Sequence, residues 1–201
     1  MLDTSELPGY NKWQDYCAIK STVPVTWTAQ DLDFTWQRIE LVNEIDPNKD
    51  FWNTFASSWM LKLQDLFRSW NCSVEGTVHY MSYLPKLGPN LLPILDHFKY
   101  QHQSYNLLKI TTGCSIAWHF DTFSSLVKRE NLSREQWDNL YRSIILLEDW
   151  RPGQVIEIGN EVVSHWHAGD VLTYSSQVWH GAANFGKDDL VVMQLSYLND
   201  H

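Results

Sequence analysis

The C-terminal half of the chain alternates short apolar runs with turn residues, and this pattern constrains the fold more than any other feature. From about residue 105 the runs read YNLLKITTG, CSIAWHFDTF, YRSIILLEDW, QVIEIG, DVLTYS and DLVVMQLSYL. Short strands separated by regular turn signals predict a β-sandwich or a barrel. The turn signals between the later runs are Pro152-Gly153, Gly159-Asn160, Gly169-Asp170 and Gly186-Lys187.

The N-terminal half has a different texture and predicts helical support. Apolar residues recur at helical spacing over about 50–70, at Phe51, Phe55, Trp59, Leu63, Leu66 and Trp70. Segment 31–44 fits a helix or a strand equally well. Within the C-terminal half, Ser133 and Gln136 form a capping box that predicts one helix between the strands.

These patterns predict a mixed, β-dominated fold: a double-stranded β-helix, or jelly roll, with a helical N-terminal buttress. At roughly 150 residues per domain, a chain of 201 residues is a single domain, 1–201. Residues 1–104 are expected to be mostly helical support, and residues 105–201 are expected to form the jelly-roll core.

Charge and composition exclude several functional classes. The formal net charge is −9, so general nucleic-acid binding is disfavoured. The sequence has no run of 18 apolar residues, so no membrane span is predicted. The N-terminus lacks the apolar region of a signal peptide. Three widely spaced cysteines do not predict a disulfide framework, and a cytoplasmic location is expected.

Histidine and aspartate carry the candidate chemistry. No G-x-S-x-G, G-x-G-x-x-G or P-loop motif occurs, whereas the chain has 8 histidines. In a strand, His119 and Asp121 would point to one face, as two metal ligands or as a hydrogen-bonded pair. His180 follows 61 residues later, before a predicted turn and a final strand. Two histidines and one carboxylate would leave coordination positions open, which suits divalent iron, whereas a closed zinc site needs a fourth protein ligand.

Over about 105–198 the sequence resembles the iron- and 2-oxoglutarate-dependent oxygenases. His119-Phe120-Asp121 matches the HxD motif of that family, and Gly113 precedes it where a glycine is common. The block from His180 to Asp189 is similar to the H-x3-N-x-G-x2-D pattern of aspartyl/asparaginyl β-hydroxylases. The resemblance implies that His119, Asp121 and His180 hold Fe(II), with 2-oxoglutarate and dioxygen as cosubstrates. It further implies that a C–H bond of a peptidyl or small-molecule substrate is hydroxylated.

One position departs from the family pattern. Many members carry a cation ten residues after the distal histidine to bind the far carboxylate of 2-oxoglutarate, and Leu190 occupies that position here. Other members place the cation on a strand that follows HxD, which Tyr141-Arg142 and the apolar residues after it match. The resemblance therefore implies that Arg142 anchors 2-oxoglutarate, with Lys187 as the other candidate. An ion pair between Arg142 and a surface acid is the alternative.

Two other functional classes remain open. His165-Trp166-His167 matches the first half of a cupin metal motif, but no glutamate follows at the cupin spacing. A cupin-like or degenerate jelly roll that binds a metal or ligand without oxygenase turnover is one alternative, and a hydrolytic zinc enzyme is the other. His97 and His102 are expected to be surface or core residues. Trp118 and Trp179 are expected to point away from the metal.

Overall fold

A computed structural model describes residues 18–40, 78–100, 102–121, 123–175 and 178–199 of the chain. Most of the regular secondary structure in the described residues consists of antiparallel strands. The strands are β1 Ile19–Thr22, β2 Gln37–Glu40, β3 Val78–Tyr83, β4 Gln103–Ile110, β5 Cys114–His119, β6 Leu140–Leu146, β7 Gln154–Ile158, β8 Glu161–Val163, β9 Asp170–Ser175, β10 His180–Asn184 and β11 Leu190–Leu198. The helices are α1 Leu92–Phe98 and α2 Ser124–Glu130, with single 3₁₀ segments at Ala29–Leu32 and Arg134–Asn139.

The strands form two sheets, and their order is that of a double-stranded β-helix. The larger sheet runs β1-β9-β6-β11-β4-β3-β2, and the smaller sheet runs β5-β10-β7-β8. β11 lies at the centre of the larger sheet, because Val192 to Tyr197 pair with β4 on one side and β6 on the other. The prediction of a β-dominated jelly roll is confirmed.

The two faces of the larger sheet have different partners, since side chains alternate along each strand. One face turns into the barrel and packs against the smaller sheet through Leu108, Ile144 and Val192. The opposite face, with Leu107, Ile145 and Met193, packs against residues of the N-terminal half. These N-terminal residues are Val23, Trp27, Leu87, Leu91 and Ile94.

The N-terminal half supports the barrel with more strand than the sequence predicts. Its described residues contribute β1, β2 and β3 to the larger sheet, together with α1 of 7 residues. Trp27 fixes this support to the barrel because its indole N–H donates to the Leu147 carbonyl at 2.8 Å. The helix predicted over about 50–70 lies outside the described residues. The described part of segment 31–44 contains the end of a 3₁₀ turn at Leu32 and the strand β2, which begins at Gln37.

The connection between β5 and β6 contains two helical elements where the sequence predicts one. The capping box of Ser133 and Gln136 opens a 3₁₀ segment. This segment has only 6 residues because β6 begins directly after it. The helix α2 was missed by the sequence prediction. Its N-cap residue is Phe123, which makes no side-chain capping bond, so the usual start signal is absent.

Two turns meet at the end of the barrel opposite His119, the last residue of β5. Gly153 has a φ of +95°, and a Cβ built on it would lie 2.3 Å from the backbone nitrogen of Gly186. The Gly153 carbonyl accepts a hydrogen bond from the Phe185 N–H at 2.8 Å. The β6–β7 and β10–β11 connections are therefore in direct backbone contact.

Candidate metal centre

Antiparallel pairing of β5 with β10 brings the two candidate histidine ligands together. His119 is the last residue of β5, His180 is the first residue of β10, and the two are direct register partners. Their ring centroids lie 4.3 Å apart. The long sequence separation between the two histidines is thus closed by a single strand pair.

Asp121 completes the group from just beyond the end of β5. Its Oδ1 lies 4.0 Å from His119 Nε2, and its Oδ2 lies 3.6 Å from His180 Nε2. Taking one ligating atom from each residue, all three lie within 4.8 Å of one another. Because β5 ends at His119, strand alternation alone does not place Asp121. The chain brings the carboxylate back to the histidines after the strand has ended.

His180 is held as a neutral imidazole whose lone pair faces Asp121. The side chain is buried, and its Nδ1–H donates to the Val178 carbonyl at 3.0 Å. A carbonyl can only accept, so Nδ1 carries the proton and Nε2 keeps its lone pair. Burial, with a smaller contribution from the neighbouring His119, lowers the pKa of His180 to about 3. A neutral imidazole is the form that binds a metal.

Asp121 is ionised although its side chain is only 15% exposed. Burial alone would raise the pKa of this carboxyl, but the positive charge of Arg142 and its hydrogen bond hold the pKa below its ordinary value. Arg142 Nη2 donates to Asp121 Oδ1 at 2.9 Å. The other oxygen, Oδ2, is buried and has no hydrogen-bond partner, and the same is true of His180 Nε2.

These two unsatisfied atoms show that the residues fit a metal ion. A buried acceptor without a partner is costly, and here two such acceptors point toward each other. Two imidazole nitrogens and one carboxylate oxygen are donors for Fe(II) or Zn(II). His119, Asp121 and His180, which we call the triad, are the one such group of three found in the described part of the chain.

Arg142 enters the barrel interior beside the triad. It is 8% exposed, and besides Asp121 its Nη1 contacts Gln194 Oε1 at 3.0 Å. Asn106 donates to the same amide oxygen at 3.0 Å, and the Phe123 ring lies 5.1 Å from the guanidinium carbon. The guanidinium Nε has no partner. The carboxylate that Arg142 pairs with is therefore a largely buried triad residue, not a surface acid.

Tyr174 is a site residue that the sequence analysis missed. It is the register partner of Arg142 across β6 and β9, and its ring centroid lies 4.7 Å from that of His180. Burial raises the pKa of Tyr174 well above its ordinary value, and its hydroxyl has no partner. Gln194 was missed in the same way. The sequence did carry a signal for both residues. Each is a polar side chain near the triad on an inward strand face that is otherwise apolar.

A small cavity of about 20 Å³ opens directly against the triad histidines. His119 and His180 line one part of it, and aliphatic side chains such as Ile144 and Val192 line the rest. Leu190 lines it too, so an apolar side chain occupies the position that the sequence analysis compares with a cation site of the oxygenases. Lys187 is exposed in the turn after β10.

The remaining histidines with described side chains have other contacts. His165 stacks on Trp150 with ring centroids 4.0 Å apart and bonds to Ser164. His167 follows it in the turn before β9, and the buried Trp166 between them donates to the Glu148 carbonyl. His102 pairs with Glu130 at 2.9 Å, and His97 is exposed on α1. No described residue makes a metal-ligating group of three with any of them.

Trp118 and Trp179 precede the two triad histidines in sequence and pack against each other. Their ring centroids lie 5.2 Å apart, and the Phe120 ring contacts Trp179 at 5.3 Å. None of these three rings is among the residues that line the described cavity. This agrees with the expectation that the indoles serve packing.

Among known proteins, only solved structures are similar to this chain, and that similarity concerns the fold alone. No family model matches the chain, and no curated protein matches it. A predicted oxalate decarboxylase from Thermotoga maritima superposes with a TM-score of 0.38 and 18% identity, over 61% of this chain and 82% of that one. The cupin domain of Schizosaccharomyces pombe Cnp3 gives 0.38 and 8% over 60% and 61% of the two chains. A cupin 2 conserved barrel domain protein from Salinispora arenicola gives 0.36 and 12% over 59% and 75%.

The sheet order and the strand register define the double-stranded β-helix without reference to any of these structures. No helix in the described residues is long and apolar enough to cross a membrane.

Proposed function

We propose that this chain is an Fe(II)- and 2-oxoglutarate-dependent dioxygenase that hydroxylates a C–H bond of a peptidyl or small-molecule substrate. The observation that carries the proposal is the pair of buried, unsatisfied acceptors, His180 Nε2 and Asp121 Oδ2, which lie 3.6 Å apart beside His119. When bound there, Fe(II) with 2-oxoglutarate and dioxygen supplies the oxidising chemistry. Three protein ligands suit this chemistry because they leave room for both cosubstrates.

The protein's own residues would bind, orient and keep the site dry. The Val178 carbonyl fixes the His180 tautomer, and Arg142 holds one oxygen of Asp121 so that the other stays free. Such second partners of metal ligands orient them and tune their basicity. The aliphatic cavity walls offer no hydrogen bonds and would disfavour water next to the histidines.

Arg142 is proposed as the anchor for the far carboxylate of 2-oxoglutarate. Its guanidinium keeps one nitrogen without a partner, Nε, and the unpartnered hydroxyl of Tyr174 belongs to the residue directly opposite it. A buried carboxylate needs a cation, and an arginine with a second donor provides charge-assisted hydrogen bonds. Lys187 is the alternative, and it is exposed in the turn after β10.

A second candidate function is a metal- or ligand-binding jelly roll without oxygenase turnover. The observation that favours it is that Arg142 already bonds to Asp121 and Gln194, while no lysine or arginine lines the described cavity. In that case the triad would hold a metal, and the protein would bind an acid without decarboxylating it.

Turnover separates the two functions. The purified chain is incubated with Fe(II), ascorbate and 2-oxoglutarate, and succinate is measured with and without pools of amino acids and peptides. We expect succinate from the wild-type protein and none from Asp121→Ala, His119→Ala or His180→Ala, with the fold of each variant checked by circular dichroism. Succinate from Asp121→Ala at the wild-type rate would refute the assignment of the triad.

A metal-binding measurement completes the comparison. Co(II) is titrated into the chelator-treated protein and followed by its visible absorption. Tight Co(II) binding that is lost in the triad variants, together with no succinate under any condition, would favour the binding protein over the oxygenase.

A further inference from the structure

The two strands that carry the triad histidines have unequal numbers of residues between two register pairs. His180 of β10 pairs with His119 of β5, and Ala182 pairs with Ile116. Gly181 alone therefore lies opposite two consecutive residues of β5. Two residues facing one residue on the partner strand define a β-bulge, and a bulge changes the direction in which the following side chain points.

The bulge explains why His119 points into the barrel. Ile116 and His119 both line the cavity although they are three residues apart, and an odd separation places residues of a regular strand on opposite faces. On β10, His180 and Ala182 line the same cavity two residues apart, as regular alternation requires. If the ladder continued without the bulge, Trp118 would be the partner of His180, and His119 would turn to the opposite face.

Gly181 leaves the space that the bulge occupies. A Cβ built on Gly181 would lie 3.2 Å from the carbonyl oxygen of Ile116 and 3.3 Å from the Cα of Trp118. Both atoms belong to the backbone of β5, so they cannot swing aside as the end of a flexible side chain does. Gly181 is not among the described glycines with a positive φ, so its own backbone conformation does not require a glycine. The close approach of the bulge does.

We propose that Gly181 is a positioning residue for the metal centre, because it admits the bulge that sets His119 and His180 on one face. Gly181 has no side chain to offer a metal and acts through His119. The inference rests on the triad holding a metal, which the proposed function and its alternative share, and it does not depend on turnover. Groups that orient metal ligands are worth roughly 10- to 100-fold in metal affinity.

A graded series at Gly181 tests the proposal with Co(II) alone as the probe. Gly181→Ala, Gly181→Val and the wild-type chain are prepared metal-free, and Co(II) is titrated while its visible absorption is recorded. We expect Gly181→Ala to bind Co(II) at least about tenfold more weakly. Gly181→Val should bind more weakly still, with an altered absorption spectrum, because the larger side chain displaces the bulge further. Wild-type affinity in both variants would overturn the inference.

Gly153→Ala is the matched control for a loss of stability. It crowds two backbone segments at the opposite end of the barrel, where the added Cβ would lie 2.3 Å from the Gly186 nitrogen. Urea unfolding is measured for each metal-free protein beside its Co(II) affinity. We expect Gly153→Ala to be less stable than wild type and to bind Co(II) with wild-type affinity. An equal loss of affinity in Gly153→Ala and in the Gly181 variants would reduce the role of Gly181 to general stability and refute the proposal.

Deletion of Ala117 tests whether Gly181 acts through the bulge. Without this residue, β5 and β10 have equal numbers of residues between the two register pairs, so a regular ladder would still place His119 opposite His180. In the Gly181→Ala background, the deletion should therefore restore Co(II) affinity to within a few-fold of wild type. Absence of recovery would show that Gly181 acts by another route.

Failure of this inference and failure of the proposed function give different results. If the wild-type chain binds Co(II) and the Gly181 substitutions leave that binding unchanged, the inference alone is wrong. If the wild-type chain does not bind Co(II), the metal centre itself is refuted, and the proposed function falls with it.

Discussion

Arg142 and Asp121 form a buried ion pair, with Nη2 and Oδ1 2.9 Å apart. The cation proposed to hold the cosubstrate thus also touches a residue proposed to hold the metal. A change at Arg142 acts on two partners at once, and the two effects have to be measured separately.

Removal of Arg142 is expected to weaken 2-oxoglutarate binding strongly. Arg142→Ala should raise the apparent 2-oxoglutarate constant by roughly 30- to 1000-fold, or about 2–4 kcal/mol, because a buried carboxylate would lose its cation. The constant is measured by succinate formation at saturating Fe(II). Co(II) titration of the same variant reports whether Asp121 still binds the metal.

Two variants serve as controls for this prediction. Lys187→Ala changes an exposed lysine in a turn and should leave the constant within about twofold of wild type. Tyr174→Phe removes only a hydroxyl and should raise the constant by about 2- to 10-fold, the value of one hydrogen bond, with Co(II) affinity unchanged. If Lys187→Ala gave the large effect and Arg142→Ala the small one, the anchor would lie in the turn before β11.

The His165 and His167 pair is expected to play no part in metal binding. His165 stacks on Trp150, and neither histidine belongs to a described ligand group. Replacing both by glutamine should leave Co(II) affinity within a few-fold of wild type, and loss of the stacked ring should lower the melting temperature slightly. Loss of Co(II) binding at unchanged melting temperature would favour a cupin-type centre at these residues.

Acid should destabilise the metal-free protein through His180. Burial lowers the folded-state pKa of His180 to about 3, while an unfolded histidine titrates near 6.5. Between these values the unfolded chain binds a proton that the folded protein does not, so the free energy of unfolding falls as the pH falls. One such group contributes at most about 1.4 kcal/mol per pH unit.

Urea unfolding at pH 7, 6 and 5 in the presence of EDTA measures this slope. His180→Gln cannot take up the proton and should show a shallower pH dependence than wild type. His97→Gln, at an exposed position on α1, is the matched control and should keep the wild-type slope. Identical slopes in all three proteins would mean that His180 is not held neutral by burial.

Gly153 is expected to be the most sensitive glycine tested at the turn end of the barrel. Gly153→Ala combines a φ of +95° with a Cβ only 2.3 Å from the Gly186 nitrogen, and should cost about 2–4 kcal/mol of unfolding free energy. Gly113→Ala has a φ of +75° but no atom within 4 Å of the added Cβ, so it should cost only about 1 kcal/mol. Equal costs would show that the contact with Gly186 relaxes freely.

The triad could be predicted from the sequence for two reasons. His119 and Asp121 are only two residues apart, and a single strand pair brings His180 beside His119. Tyr174 and Gln194 stand out in the sequence as polar side chains on apolar strand faces. Their place in the site could not be predicted, because it depends on which strands neighbour β6, and local pattern does not encode pairing between distant strands. The same limit applies to β1 and β3, which join the larger sheet from a half expected to be mostly helical. β8 spans 3 residues, too few to show a period.

The pairing of His119 with His180 also makes the site a sensor of strand register. The ladder between β5 and β10 is irregular between His180 and Ala182, and a slip of one residue would turn a histidine to the opposite face of the sheet. Only chains with the correct register could then present both imidazoles to one ion. The stoichiometry of Co(II) binding in a refolded sample would therefore count the molecules whose smaller sheet has assembled correctly, independently of any catalytic assay.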